Sequence, residues 1–358
     1  MVGMLRRKWL FLVALQGVAS GCFYAQGIRG GLEILTLRRP VAEVLADPGT
    51  SAELAGQLRV VEEARDFAVR ELGLPDNGSY RQYTELGRPY AVWNVVGAPE
   101  LSVEPVHWCF PFAGCVSYRG YFSQARAGRY AARLAERGFD VQVAGATTYS
   151  TLGWFKDPVL STFVDLPAPH LAGVLFHELA HQRLYLPGDT VFNESFATVV
   201  QDEGVRRWLS TRNEPQALKA YETAEDRQRE VTDLLLKARS ELALVYGGSD
   251  SRQIKLARKR QVFQRLRFEY RDLRRKWNGY DGYDAFFDGE LNNAHLAAIG
   301  AYNELVPELR ELLVECSGDL STFYQRARSF GEARSAEPTR LRSGPSGETG
   351  PRSADGPG

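Results

Sequence analysis

The segment that most constrains the fold is Leu171–Leu184, an apolar run that contains His177-Glu178-Leu179-Ala180-His181. A run of this length and composition predicts a helix that is buried on most of its faces. Residues four apart share a helix face, so the imidazoles of His177 and His181 can converge on one cation. Two core histidines without a shared ligand are the alternative, but burying them would cost desolvation free energy.

A third ligand is expected from the next predicted helix. Leu186-Pro187-Gly188-Asp189 separates predicted helices over Pro167–Tyr185 and Thr190–Leu209, which should therefore be antiparallel neighbours. Glu194, 13 residues beyond His181, can then face the two imidazoles. Catalytic zinc uses three protein ligands and one open position, so this set predicts a Zn²⁺ site. Alone, Glu194 would be read as an acid that the helix dipole stabilises in a first turn.

The first 22 residues have the pattern of an export signal. Three basic residues within Met1–Lys8 precede the apolar run Trp9–Gly21, which is shorter than the roughly 20 residues that span a bilayer as a helix. Residues 1–21 are therefore predicted to be a signal peptide. Ala19-Ser20-Gly21-Cys22 resembles a bacterial lipoprotein signal, which implies an acylated Cys22 and a lipid anchor in the cell envelope, facing the periplasm. Phe23 after the cysteine favours the outer membrane over the inner, and an ordinary signal peptide with an incidental cysteine is the alternative.

Charge and cysteine content exclude other classes. Lys and Arg number 44 against 44 Asp and Glu, which argues against a nucleic-acid partner. Four cysteines are too few for a disulfide-built scaffold. In an exported chain, Cys109 and Cys115 can close a small disulfide loop around a turn-prone insert. Three buried free thiols, including Cys316, are the alternative.

The pattern along the chain predicts an α+β fold dominated by helices. Strands are expected within Tyr80–Val106 and over Phe139–Ala146, forming a small β-sheet. Residues 213–277, interrupted at Gly247-Gly248-Ser249-Asp250, predict a long helical hairpin, whose charges form either a solvated face or a partner-binding arm. A helix is also expected over Tyr121–Arg137 and a loop over Asn278–Gly289. Residues 22–330 are predicted to form one domain, and residues 331–358 a disordered tail.

These motifs also carry a family resemblance. His177-Glu178-x-x-His181, followed by Asn193-Glu194-x-Phe196-Ala197, resembles the gluzincin metallopeptidases, although the spacing is shorter than in zinc aminopeptidases and thermolysin-like enzymes. Nearly all of the mature chain resembles a largely uncharacterised family of bacterial zinc aminopeptidases. The segments that carry this wider likeness are 114–122, 149–155 and 292–296.

The resemblance implies peptide hydrolysis by a zinc-activated water, with one zinc per chain. Glu178, beside the metal, would act first as general base and then as general acid. An oxyanion-stabilising side chain is also implied, for which the candidates are Tyr302, His295 and Tyr149, each of which could instead be a core residue. The segment Ala146–Gly153 could pair with an extended peptide as an added strand.

Two functions follow from these features. The first is a lipid-anchored zinc peptidase, in particular an aminopeptidase, with endopeptidase action as a variant. The second is a catalytically idle zinc-binding envelope lipoprotein whose helical hairpin binds a partner. Glu178 argues against the second, because a purely structural zinc site has no use for a free carboxylate.

Overall fold

The computed structural model describes residues 26–27, 29–110, 114–151 and 156–336. The predicted signal peptide, Cys22 and residues 337–358 lie outside the described residues. Helices dominate and the sheets are small, which confirms the α+β prediction. Among the described helices, none has the length and apolar character needed to cross a bilayer.

The helices are distributed along the whole described chain. They are α1 (residues 29–36), α2 (Val41–Ala46), α3 (Ala52–Arg70), α4 (Gln124–Glu136), α5 (Ala168–Arg183), α6 (Thr190–Thr211), α7 (Pro215–Gly247), α8 (Arg252–Lys276), α9 (Asp284–Asp288), α10 (Asn293–Asn303), α11 (Val306–Glu315) and α12 (Leu320–Ala336).

The strands are short and mostly antiparallel. They are β1 (Arg39–Pro40), β2 (Gln82–Thr84), β3 (Val92–Pro99), β4 (Trp108–Phe110), β5 (Gly114–Val116), β6 (Arg119–Tyr121), β7 (Phe139–Ala146) and β8 (Val159–Leu160). One sheet has the order β6-β3-β7, with Val92 opposite Ala146 and Trp93 opposite Tyr121. A second sheet has the order β1-β2-β8, and β4 pairs with β5 as a separate ribbon.

The central core surrounds α5. This helix has little amphipathic character because apolar residues occur on every side of it, and Leu171, Leu175 and Phe176 are fully buried. Helices α3, α6, α11 and α12 contribute to the same core. The central position of α5 follows from its composition, since a helix with apolar residues on every side must be covered by other elements on most of its surface.

Helices α7 and α8 form the hairpin that the charge pattern and the Gly247-Gly248-Ser249-Asp250 break predict. A second core lies between them and α9 and α10, and it contains Leu242, Phe263 and Leu296. Most of the charged residues of the hairpin lie at its surface, and several form ion pairs within the protein, including Lys237 with Glu269 at 3.3 Å.

Three boundaries differ from the sequence-based expectation. Tyr121 belongs to strand β6 and not to the following helix, which begins after Ser123. The predicted loop 278–289 contains the short helix α9. Helix α12 continues through Ala336, beyond the predicted start of the tail, because Gly331 packs closely against Phe192 and Leu186.

Candidate active site

Three side chains from the two adjoining helices meet at one point. The Nε2 atoms of His177 and His181, one turn apart on α5, are 3.2 Å from each other. The Oε2 atom of Glu194, on α6, lies 3.4 Å from Nε2 of His177 and 3.7 Å from Nε2 of His181. The predicted ligand set is therefore assembled as a compact group of donors.

The turn between α5 and α6 fixes Glu194 in this position. Gly188 has a φ of +85°, which other residues rarely adopt, and the Asp189 side chain accepts a hydrogen bond from the Phe192 N–H at 3.1 Å. The Asn193 amide bonds both backbone groups of Leu186, accepting from its N–H and donating to its carbonyl, each at 2.8 Å. Asn193 thus ties the start of α6 to the end of α5, next to the residue that faces the imidazoles.

The spacing of the three donors fits a divalent cation. Ligands at about 2.0–2.1 Å in tetrahedral geometry lie about 3.3 Å from one another, close to the three distances seen here. The donor set, two neutral imidazoles and one carboxylate, matches the coordination chemistry of zinc and related metals. The residues present therefore fit a bound metal ion.

Electrostatics couple the three groups. Burial alone would raise the pKa of Glu194, but its hydrogen bonds with His177 and His181 outweigh this effect and lower the pKa to about 2. Burial would lower the pKa of His177, yet the carboxylate of Glu194 raises it overall. Glu194 is therefore an anion at all physiological pH values, as a metal ligand must be.

Glu178 lies beside the triad and borders an open cleft of about 580 Å³. Its side chain is buried, with 9% of its surface exposed, because α5 is covered on most sides. The cleft is also bordered by strand β3, by Ala146 at the end of strand β7 and by residues 147–150, which follow it. A substrate can therefore reach Glu178 and the three donors from one side.

Four tyrosines border the cleft: Tyr118, Tyr149, Tyr185 and Tyr302. Burial raises the pKa of Tyr118 and of Tyr302, and the negative charges of Glu194 and Glu178 raise both further. Burial and Glu194 raise the pKa of Tyr185, and burial and Asp157 raise that of Tyr149. All four phenols therefore remain protonated hydrogen-bond donors at neutral pH.

Asp157 holds the loop that carries Tyr149 in place through hydrogen bonds. The Asp157 carboxylate accepts hydrogen bonds from the Thr151 N–H at 3.0 Å and from the Ser150 hydroxyl at 3.2 Å. The Tyr149 ring packs edge-on against Phe122, with ring centroids 5.1 Å apart. Residues 152–153, which end the segment predicted to pair with a peptide, lie outside the described residues.

The structure does not bring His295 to the cleft. Its Nδ1 accepts a hydrogen bond from the Asn292 N–H at 3.3 Å, which closes a capping box at the start of α10. Burial lowers its pKa to about 4. His295 and Tyr302 do share a helix face, but seven residues separate them by about 10.5 Å along the axis, so only the end that carries Tyr302 reaches the site.

Asp202 and Glu203, further along α6, also have other partners. Asp202 is buried and forms an ion pair with Arg310 at 2.6 Å. Glu203 pairs with Arg207 at 2.7 Å and with Arg206. Neither acid borders the cleft, so neither is placed to hold a substrate amine.

The cysteines follow the first of the two predicted alternatives, a small disulfide loop with one free thiol. Cys109 and Cys115 form a disulfide across the β4-β5 ribbon, where they face each other in register. Cys316 is a buried free thiol at the end of α11. None of the three borders the cleft.

The sequence reasoning missed Tyr118, Tyr185, Asn94 and Gln201 as cleft residues. The position of Tyr185, four residues after His181 and beyond the end of α5, gave the one local signal available. Asn94 lies on β3 and Tyr118 directly precedes β6, and only the pairing of these two strands brings both residues to the helices.

Most of the chain matches one known protein family. The family described as "Putative aminopeptidase" matches residues 22–341. The chain belongs to this family. The match spans both ligand-bearing helices, the sheet and the helical hairpin, so family membership covers the whole described fold. Neither a curated protein nor a solved structure gives a significant match.

Proposed function

We propose that the protein is a zinc-dependent peptidase of the cell envelope that acts as an aminopeptidase. One observation carries the proposal: a free carboxylate, Glu178, lies beside a set of three metal donors at the base of an open cleft. Membership of an aminopeptidase family supports the same reaction class.

His177, His181 and Glu194 are the residues that would hold the metal, and zinc is the ion whose usual ligands and distances they best match. Bound there, zinc would supply Lewis acidity that polarises the scissile carbonyl and lowers the pKa of a water molecule.

Glu178 is the proton carrier in this proposal. It accepts a proton from the water whose oxygen bonds to the carbonyl carbon, and it delivers that proton to the amide nitrogen as the carbon–nitrogen bond breaks. The products are a carboxylic acid and an amine, so one water is consumed per bond. The covered flank of α5 restricts the motion of the Glu178 side chain, which keeps it beside the reacting atoms.

Tyr118 and Tyr302 are the proposed donors to the developing oxyanion. Both hydroxyl-bearing side chains border the cleft, and both experience the charges of Glu178 and Glu194. Their raised pKa values keep the phenolic protons in place, so that they can donate to a negatively charged oxygen.

We also propose that the mature chain is anchored by lipid at Cys22 and faces the periplasm, with the outer membrane as the favoured membrane. The support is the sequence pattern of a basic start, an apolar run and small residues before the cysteine. Peptides in that compartment would be the substrates.

The deciding experiment combines metal analysis with activity. The purified mature chain should contain one zinc per molecule and hydrolyse aminoacyl reporter substrates and small peptides. Glu178→Gln should keep the zinc and lose about 10²- to 10⁴-fold in kcat. Glu62→Gln, an exposed glutamate on α3, is the matched control and should leave kcat unchanged.

Zinc binding without turnover on any peptide would favour the idle envelope protein instead. The hairpin offers that alternative little support, because charged residues along it pair within the protein: Arg239 with Glu104 at 2.8 Å and Lys276 with Glu230 at 2.9 Å.

A further inference from the structure

A second cavity, of about 430 Å³, adjoins the cleft. Gln26 and Phe122 border both cavities, so the two are adjacent. Two guanidinium groups, those of Arg29 on α1 and Arg126 in the first turn of α4, border the second cavity. Nothing in the proposed reaction uses this basic end of the groove.

The elements that carry the two arginines are tied to the sheet. The Gln26 side chain donates to the Gly120 carbonyl at 3.3 Å and accepts from the Phe122 N–H at 3.1 Å. At Gly30 a Cβ atom would lie 2.1 Å from Cγ of Phe122, so only glycine allows α1 to approach this closely. The position of Arg29 at the cavity is therefore set by packing.

Both guanidinium groups are available to a ligand. Within the described part of the chain, neither Arg29 nor Arg126 forms a side-chain hydrogen bond or an ion pair. The single carboxylate that borders this cavity, Glu33, is paired with Arg88 at 2.8 Å. The cavity therefore has an excess of positive charge that this part of the protein does not neutralise.

The catalytic cleft, by contrast, has no negative charge among its described side chains to spare for a substrate. Among the described residues that border it, the carboxylates are Glu178 and Glu194, which the proposed reaction already uses. The described lining of the cleft therefore offers no further carboxylate to a bound peptide.

We propose that Arg29 and Arg126 bind a carboxylate of the peptide substrate, so that the enzyme prefers peptides with an acidic group beyond the scissile bond. This inference rests on the proposed peptidase function and specifies its substrate class. The carboxylate can come from the C-terminus of a short peptide or from an acidic side chain. Two guanidinium groups at a cavity adjacent to the cleft suit either source, because arginine pairs with carboxylates in a fixed geometry.

The test compares kcat/KM for trialanine, its C-terminal amide and its N-acetyl derivative, together with a tripeptide amide that has aspartate at the third position. Amidation should lower kcat/KM about 10- to 100-fold, as expected for the loss of charge-assisted hydrogen bonds, whereas N-acetylation reports separately on the free amino group that aminopeptidase action requires. If the C-terminus is the source, aspartate in the amide will not restore the rate; if a side chain is the source, it will.

Variants assign the effect to the two arginines. Arg126→Gln and Arg29→Gln should each reduce the preference for the carboxylate, whereas Arg129→Gln, an exposed arginine on the same helix as Arg126, should keep it. An active enzyme that cleaves acid and amide equally, or variants that retain the full preference, would overturn this inference and leave the peptidase proposal intact. A wild-type chain that cleaves no peptide would overturn both.

Discussion

The close approach of α5 and α6 predicts a large effect of one added methyl group. At Gly204 on α6, a Cβ atom would lie 2.7 Å from Cδ2 of Phe176 and 2.8 Å from Cδ1 of Leu72. Carbon atoms in contact are normally about 3.5–4.0 Å apart. Phe176 and Leu72 have 0% and 1% of their surfaces exposed, so neither side chain can move into solvent. Gly204→Ala therefore requires a displacement of the helices themselves.

The magnitude follows from two opposing contributions to the free energy of unfolding. Overpacking a core by a methyl group costs about 1–3 kcal/mol, and alanine in place of glycine in a helix returns about 0.5–1 kcal/mol. We expect a net loss of about 0–2.5 kcal/mol for Gly204→Ala, against a net gain for a glycine with free space around it. Because Phe176 precedes His177, the same displacement should also weaken zinc retention against a chelator.

The assay is urea unfolding followed by circular dichroism, first with excess chelator, so that metal binding does not contribute, and then with zinc. Gly128→Ala is the matched control, since no atom would lie within 4 Å of its Cβ on α4, and it should gain up to about 1 kcal/mol. If Gly204→Ala were as stable as Gly128→Ala, the argument from close packing between α5 and α6 would be refuted.

Three further predictions concern other parts of the protein. Tyr118→Phe or Tyr302→Phe should lower kcat about 10²- to 10³-fold in peptide hydrolysis, with a much smaller effect from Tyr149→Phe; unchanged kcat in both of the first two would contradict their role. Burial and the neighbouring Asp202 raise the pKa of Glu225 from 4.5 to about 7, so the folded chain binds a proton that the unfolded chain releases. The free energy of unfolding should therefore fall as the pH rises from about 4.5 to 7, by about 3 kcal/mol at most, and urea midpoints of Glu225→Gln should lack this fall. Mass spectrometry of the membrane-bound chain should find an acylated Cys22 at its N-terminus, and Cys22→Ser should release the protein from membranes; an unmodified N-terminus elsewhere would exclude the anchor.

Much of the fold could be predicted where a local pattern is strong. Strand β7 occupies Phe139–Ala146, the span expected from its alternation, and α5 and α6 lie within two residues of their expected limits. Strand β8, with two residues, is too short to give a periodic signal. The helix expected over Tyr121–Arg137 starts too early, because pairing with Trp93 places Tyr121 in a strand.

The donor triad could be predicted because its geometry is nearly local. Two histidines four residues apart determine one helix face, and a short Pro-Gly turn leaves the next helix little choice of direction. The tyrosines could not be selected in this way, since Tyr118 reaches the cleft from between two strands and Tyr302 from the last turn of α10. His295 illustrates the limit of the periodicity argument: it shares a face with Tyr302, but a shared face says nothing about which end of the helix meets the site.

The division between helices and sheet has a consequence for specificity. The metal donors and Glu178 belong to α5 and α6, which the core surrounds, so substitutions near them should act first on stability and metal binding. The opposite wall of the cleft is formed by strand β3, by residues at the ends of other strands and by Gln26, whose side chain bonds the backbone of Gly120 and Phe122 at the edge of the sheet. Substitutions on that wall, apart from those at Tyr118, should alter what the groove binds without disturbing the donor triad. Reaction chemistry and substrate choice should therefore be separable by mutation, with Glu178→Gln affecting all substrates alike and Arg126→Gln affecting the ratio between them.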